Sequence, residues 1–340
     1  MNHIDWRHVA WTCASGAPLC VSWVRRNMPV EHASVRAVRK PWGVGDLQPW
    51  SGIDGTVDAV GELWFERADD NAPIPALLLK LLFTSKPLSI QVHPDDTYAR
   101  AMGMPNGKSE AWYIISAEPG SRIGVGLERR VTPQELRASI HNGSIVELVR
   151  WRLVEKGDVI FIPAGTIHAL GAGIVLAEIQ QRSDTTFRLF DYGSQRELHE
   201  DDGVAVANAW PLRPAQKPTR LTGERTVLVA SRYFVLERLD LPEGSSWALL
   251  AEAETWVLVL DGHAAIGLAA ASIGQAVFVA GGRTSIEVGV NGLTALVAYP
   301  ATAPIGSLLQ RLGEASANAV PQRAAATAAP ALTDLAEART

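Results

Sequence analysis

Gln91 and His93 stand two residues apart in "LSIQVHPDD", residues 88–96, and their spacing raises the first question of chemistry. Side chains i, i+2 and i+4 of a strand share one face. Ser89, Gln91 and His93 therefore point one way, and Leu88, Ile90 and Val92 the other. The pattern predicts a half-buried strand bordering a pocket, ended by Pro94 and a turn at Asp95-Asp96. Taken alone, the segment reads as an edge strand with a solvated polar face, since one histidine makes no metal site. Other polar residues keep equally apolar company. Lys80 lies inside "ALLLKLLF", where an unpaired ammonium is costly to bury. It either snorkels to an edge or aims a cation into a barrel mouth. Arg188 stands between Phe187 and Leu189, with Asp184 and Asp191 in reach as salt-bridge partners. Lys108 and Glu178 complete the set of charged candidates.

The strongest local signal is "GDVIFIPAGTIHALG", residues 157–171. Its Gly, Pro, Gly and His spacing resembles the second motif of the cupins, whose fold is a jelly-roll or double-stranded β-helix barrel. In that family the histidine, here His168, binds a metal inside the barrel. The Asn often found four residues later is Ala172 in this chain. A second copy, "GQAVFVAGGRTS", aligns Gly274 with Gly157 and Gly282 with Gly165, but has Ala280 for Pro163 and Ser285 for His168. The chain thus reads as two barrels, the second without its ligand, and chemistry is expected in the first. Partners for His168 then come from Gln91, His93 and Glu110, the last heading a strand in "NGKSEAWYII". Two imidazoles, one carboxylate and an amide carbonyl suit one zinc ion, although another borderline divalent metal fits the same set. His3, His8, His32, His141, His199 and His263 lie in poor contexts and read as surface or structural residues.

The elements that must hold these residues are mostly strands. Short apolar runs such as "AWYIIS", "VIFIP", "IVLAEIQ", "FRLFDYG", "YFVLERLDL", "TWVLVLDG" and "LTALVAYP" alternate with Gly, Pro and Asp. That spacing indicates a mainly β protein of sandwich or barrel type, with a few short helices. One helix is expected from Thr132 as cap, Pro133 at the first position and Glu135 in a capping box, ending at Asn142-Gly143. The expected division is a peripheral extension over 1–27, a first barrel over 28–215, a second over 216–312 and a flexible tail over 313–340. With 340 residues, 47% apolar and 20% charged, the chain has the make-up of a globular protein. A formal charge of −5 and the lack of a basic patch exclude nucleic acid as an expected partner. No apolar run approaches the ~20 residues needed to span a bilayer, so no membrane partner is expected either. Cys13 and Cys20 alone argue against a disulfide framework, and no signal-peptide pattern is read, so a cytoplasmic location is expected.

"KLLFTSKPLSIQVHPDD", "GKSEAWYII", "GDVIFIPAGTIHALGAG" and "EIQQRSDTTFRLFDYG" occur in this order. Together with "KPWG" and "GELWF" they resemble the type I mannose-6-phosphate isomerases, strongly over residues 38–193 and weakly over the second barrel. The resemblance implies zinc held by Gln91, His93, Glu110 and His168. It also implies active-site roles for Lys80, Ser89, Lys108, Glu178 and Arg188, with a small-molecule sugar phosphate as substrate. Glu178, Arg188 and Lys108 are the expected catalytic residues; Lys80, Ser89, Lys108 and Arg188 are expected to bind substrate. The helical domain of longer members has no room here, since only 57 residues separate Glu110 from His168. Competing readings are an Fe(II) cupin oxygenase, a non-catalytic sugar-binding cupin, or a metal-dependent cupin acting on another sugar phosphate.

Overall fold

The computed structural model describes residues 30–69, 71–194, 196–212 and 217–313. The expected extension over 1–27 and nearly all of the expected tail lie outside these residues. The chain opens with β1 (Val30–His32), β2 (Ser34–Val44), β3 (Val60–Glu66), β4 (Leu77–Thr84) and β5 (Ile90–Val92). Helix α1 (Asp96–Ala101) leads to β6 (Glu110–Ala117) and β7 (Arg122–Leu127). Helices α2 (Pro133–Asn142) and α3 (Ile145–Leu148) precede β8 (Val149–Leu153), β9 (Val159–Ile162), β10 (His168–Leu170), β11 (Ile174–Gln181) and β12 (Phe187–Phe190). After α4 (Glu200–Val206) come β13 (Thr219–Arg220), β14 (Arg225–Ala230), β15 (Val235–Leu241) and β16 (Ser246–Ala251). The chain continues with β17 (Thr255–Ile266), β18 (Ala269–Ser272), β19 (Ala276–Val279), β20 (Gly282–Tyr299) and β21 (Leu309–Arg311).

In the first barrel a six-stranded sheet, β2-β3-β4-β11-β6-β9, faces a five-stranded one, β12-β5-β10-β7-β8. Their inner faces meet over Trp42, Leu82, Trp112, Ile114, Ile123 and Leu170. The remaining sheet, built on β1-β19-β17-β20-β15-β14-β13, curls around its own apolar interior, which includes Val235, Trp247, Val257, Ile286 and Tyr299. The fold is mainly β, as the alternating segments predict. β1 falls in the stretch expected to open the first barrel, yet it pairs with β19 of the second: Val30 lies opposite Val279 and His32 opposite Val277.

The two barrels share a third apolar layer. Leu63, Phe65, Leu79, Leu81 and Tyr113, on the outer face of the six-stranded sheet, pack against Phe234, Trp256, Leu258, Phe278 and Leu296. This layer explains why β4 reads as a nearly unbroken apolar run. Leu77, Leu79, Leu81 and Phe83 face the second barrel, while Leu78, Lys80 and Leu82 face the chamber of the first. The expected helix is α2, with Thr132 accepting from the Glu135 N–H at 3.1 Å and Gly143 closing it in the left-handed conformation. The Glu135 carboxylate is paired with Arg129. With α3 and α4, this helix covers the outer face of the five-stranded sheet over Ile90, Leu136, Ile140 and Leu189.

Candidate active site

One row of side chains crosses the five-stranded sheet. Gln91 in β5 lies opposite His168 of β10 on one side and opposite Arg188 of β12 on the other. Directly opposed residues in an antiparallel pair share a face, so all three address the chamber. From the facing sheet comes Glu110, the first residue of β6, paired in register with Gln180 and Ile162. His93 follows the end of β5, where Pro94 stops the ladder.

These side chains converge. Glu110 places Oε2 3.4 Å from His93 Nε2 and Oε1 3.5 Å from His168 Nε2. The Gln91 amide nitrogen lies 3.2 Å from His168 Nε2, and the Ser89 hydroxyl 3.5 Å from Gln91 Oε1. His93, Glu110 and His168 are each at most 1% exposed. Each imidazole turns its Nδ1 to a backbone carbonyl, His93 to Thr185 at 2.9 Å and His168 to Thr166 at 2.8 Å. With Nδ1–H donating, each ring presents an Nε2 lone pair to the centre, the arrangement metal-ligating histidines adopt. His93 Nε2 and both Glu110 oxygens are buried without a hydrogen-bond partner. Buried polar atoms are seldom left so, and three converging ones fit a cation between them. The His93–Glu110–His168 group, with ligand atoms all within 4.8 Å of one another, could hold a metal.

Charge completes the chamber wall. Lys80 is buried and lies 3.6 Å from Glu62, 3.5 Å from Glu178 and 3.9 Å from Asp184. Its ammonium also sits 4.1 Å from the centre of the Trp64 ring. Lys80 therefore does not snorkel to an edge; it is held inside by carboxylates. Lys108 lies 3.1 Å from Glu110 Oε2, at ion-pair distance but off hydrogen-bond geometry, and 3.9 Å from Glu178. Trp112 donates its indole N–H to Glu178 at 3.0 Å. The row Trp64–Lys80–Glu178–Trp112 runs across four neighbouring strands.

Burial and neighbours set the protonation states. Burial, helped by the Lys108 charge, pushes His93 down to about 3, so its ring is neutral and free to ligate. Burial likewise lowers His168, partly opposed by Glu110. Glu110 is held well below its ordinary value, because Lys108 and the two imidazoles outweigh its burial. Glu178 shifts the other way: burial and the nearby Glu110 charge raise it, and Lys108 and Lys80 only partly compensate. Burial disfavours charge on Lys108, but Glu110 and Glu178 more than restore it. Two carboxylates in one chamber thus diverge, one held charged and the other pushed towards neutral.

Arg188 shares the face of Gln91, donates to the Glu197 carbonyl at 2.7 Å and keeps a buried Nε without a partner. The alternative reading of Arg188, a salt bridge to Asp184 or Asp191, is not what the structure shows. Arg196 takes Asp191, and Asp184 approaches Lys80. Sequence reasoning gave no role to Glu62, Trp64 or Trp112. Glu62 and Trp64 alternate on β3 as "ELW", a signal legible only once β3 is paired with the strand of Lys80. A cavity of about 810 Å³ lies elsewhere, between the barrels, lined by Trp50, Phe83, Tyr113, Arg238 and Leu260 and by none of these chamber residues.

Fold and site together define a two-barrel cupin with a candidate metal cluster and paired carboxylates in its first barrel. No family model matches the chain. It is 33% identical over 241 residues to a mannose-6-phosphate isomerase of Streptococcus mutans, covering 60% of this chain and 76% of that protein. With mannose-6-phosphate isomerase ManA of Bacillus subtilis it shares 42% identity over 137 residues, 38% of this chain and 43% of that one. The crystal structure of mannose 6-phosphate isomerase from Bacillus subtilis matches it with a TM-score of 0.70 at 25% identity, covering 80% of this chain and 99% of that one. A putative mannosephosphate isomerase from Archaeoglobus fulgidus shares the fold, with a TM-score of 0.63 at 16% identity, over 81% of this chain and 99% of that one. The chain belongs to the mannose-6-phosphate isomerase family.

Proposed function

We propose that this chain interconverts mannose 6-phosphate and fructose 6-phosphate through a cis-enediol, with one zinc ion held by Gln91, His93, Glu110 and His168. The observation that carries the proposal is the buried His93–Glu110–His168 cluster beside Glu178, whose carboxyl is raised by burial. A bound divalent ion supplies Lewis-acid polarisation of the sugar oxygens. The remaining work falls to the chain's own side chains. Glu178, its carboxyl raised by burial, carries the proton: as the carboxylate it takes it from C2 of the open-chain aldose and returns it to C1, while the hydroxyl proton passes from O2 to O1. Trp112 and Lys80 fix the direction of its carboxylate. Lys108 supplies a charge-assisted donor to the oxygen that becomes negative in the enediolate. Arg188, Lys80 and Ser89 bind substrate, with Arg188 offering its fork of donors to the phosphate dianion. Burial of the chamber side chains keeps bulk water from competing for the enediolate.

A coupled assay with mannose 6-phosphate, with and without chelator, followed by metal analysis, tests this reading. Turnover that the chelator abolishes and zinc restores is the expected result. Turnover unaffected by stripping the metal refutes the metal role, and no turnover in the zinc-loaded protein refutes the substrate.

A further inference from the structure

The turn after His93, "PDD", has a place in the structure that the chemistry above does not use. Asp95 caps α1, accepting from the Tyr98 N–H at 2.8 Å. Asp96 points elsewhere. Its Oδ1 accepts from the Gly107 N–H at 2.9 Å and from the Gln181 side-chain amide at 3.0 Å. The other end of that amide, Gln181 Oε1, accepts from the Ser109 N–H at 2.9 Å, and the Ser109 hydroxyl accepts from the Ala164 N–H at 3.1 Å. Gln181 and Ser109 are both buried. Three backbone bonds run alongside: Lys108 N–H to Pro94 O at 3.0 Å, Gly165 N–H to His93 O at 2.8 Å and Gln181 N–H to Ser109 O at 3.1 Å. Gly107 fits this junction closely. A Cβ there would lie 2.4 Å from the Asp95 carbonyl carbon and from the Pro94 oxygen.

Four chain segments meet at this knot: the one leaving His93, the one entering Glu110, the turn before His168 and the end of the strand that carries Glu178. The β6 ladder begins only at Glu110, so Lys108 lies outside it and depends on these bonds for its place. We propose that Asp96, Gln181 and Ser109 are positioning residues that hold Lys108 and Glu110 in register with His93 and His168. The role of Asp96 is that of an acceptor shared by Gly107 and Gln181. Its other oxygen, Oδ2, faces Arg100 at 3.5 Å. The inference rests on the metal site and reaction proposed above.

The test compares Asp96→Ala, Asp96→Asn and Gln181→Leu with the parent protein. Each is stripped of metal, titrated with zinc against a competing chelator, melted in the stripped form, and assayed with mannose 6-phosphate. Asp96→Ala and Gln181→Leu are expected to weaken zinc binding and lower kcat, each by roughly tenfold to a hundredfold, as loss of outer support for a metal ligand does. Asp96→Asn loses the charge but keeps the acceptor, and is expected to match the parent in both. A merely structural role would lower the melting temperature and leave zinc affinity measured well below it unchanged. Parental zinc affinity and kcat in both Asp96→Ala and Gln181→Leu overturn the proposal, as does an Asp96→Asn protein as impaired as Asp96→Ala. Should Asp96→Ala fail to fold, Gln181→Leu, close to its parent in volume, decides alone. A parent that takes up no zinc sinks the functional reading and this inference with it; a zinc-binding, active parent with unaffected variants sinks only the inference.

Discussion

Arg188 separates chemistry from metal binding, because it shares the face of Gln91 yet lies outside the cluster of His93, Glu110 and His168. Replacing it with Ala removes a fixed cation and no ligand. Turnover of mannose 6-phosphate should fall on the order of a hundredfold, about 3 kcal/mol in the barrier, with zinc content unchanged. His168→Ala should instead lose metal and activity together. Near-parental turnover in Arg188→Ala would leave that residue only its bond to the Glu197 carbonyl. A second residue-level test concerns acid. Although burial opposes it, Lys80 and Lys40 hold the Glu62 carboxyl below its ordinary value of 4.5. Below about that pH the unfolded chain binds a proton that folded Glu62 refuses, so the contribution to stability is fully present above about 4.5 and is lost as pH falls from there through the lower folded value. Melting temperature against pH should show a shallower acid limb in Glu62→Gln than in the parent; identical limbs would remove the ion pair from the account. At this scale the sequence was informative where a motif repeats across a family. It was uninformative about partners: "SIQVHP" and the histidine of the second motif located the cluster. Pairing Arg196 rather than Arg188 with Asp191 depends on how the chain turns after Phe190.

Among elements, α2 was legible to the residue, because a cap, a proline and a glycine each act within a few positions of the chain. Thr132→Ala should cost about 1 kcal/mol of stability by leaving an N–H of the first turn without its acceptor. The helix lies on the outer face of the five-stranded sheet, so kcat should not change; thermal unfolding and the coupled assay read the two effects separately. A fall in kcat without a fall in melting temperature would contradict this. Strands such as β4, β6, β9, β11, β12, β15, β17, β19 and β20 were legible as short apolar runs between Gly, Pro and Asp, whereas β7, β8, β14, β16 and β21 were not read. Which face of each strand meets which neighbour was not, since an apolar stripe records that something covers it and not what. The pairing of β1 with β19 escaped for that reason: nothing in "VEH" names a partner more than two hundred residues away. The knot at Asp96 escaped too, because side-chain bonds to backbone N–H groups follow loop geometry rather than periodicity.

For the molecule as a whole, the apolar layer between the barrels makes them one unit rather than two beads on a string. Trp256 is 1% exposed and packs at 4.8 Å from Phe278 within that layer. Trp256→Ala should cost about 3–5 kcal/mol. If the layer couples the barrels, calorimetry of the parent should give one transition, and the variant should lower it without splitting it. Two separated transitions in the parent would mean that each barrel stands on its own. The structure also contains no helix, among the described residues, long and apolar enough to cross a membrane. β4 belongs to both barrels at once: one edge of its pleat lies in the dry layer, the other in the chamber with Lys80. Its tolerance to change is therefore a matter of parity. Many substitutions along it keep each side chain in its own compartment, but gaining or losing a single residue ahead of Lys80 swaps the two sets. The ammonium would then enter the layer between the barrels, where no carboxylate of the chamber can follow, and a leucine would replace it opposite Glu178. Length, more than identity, is what this strand must conserve.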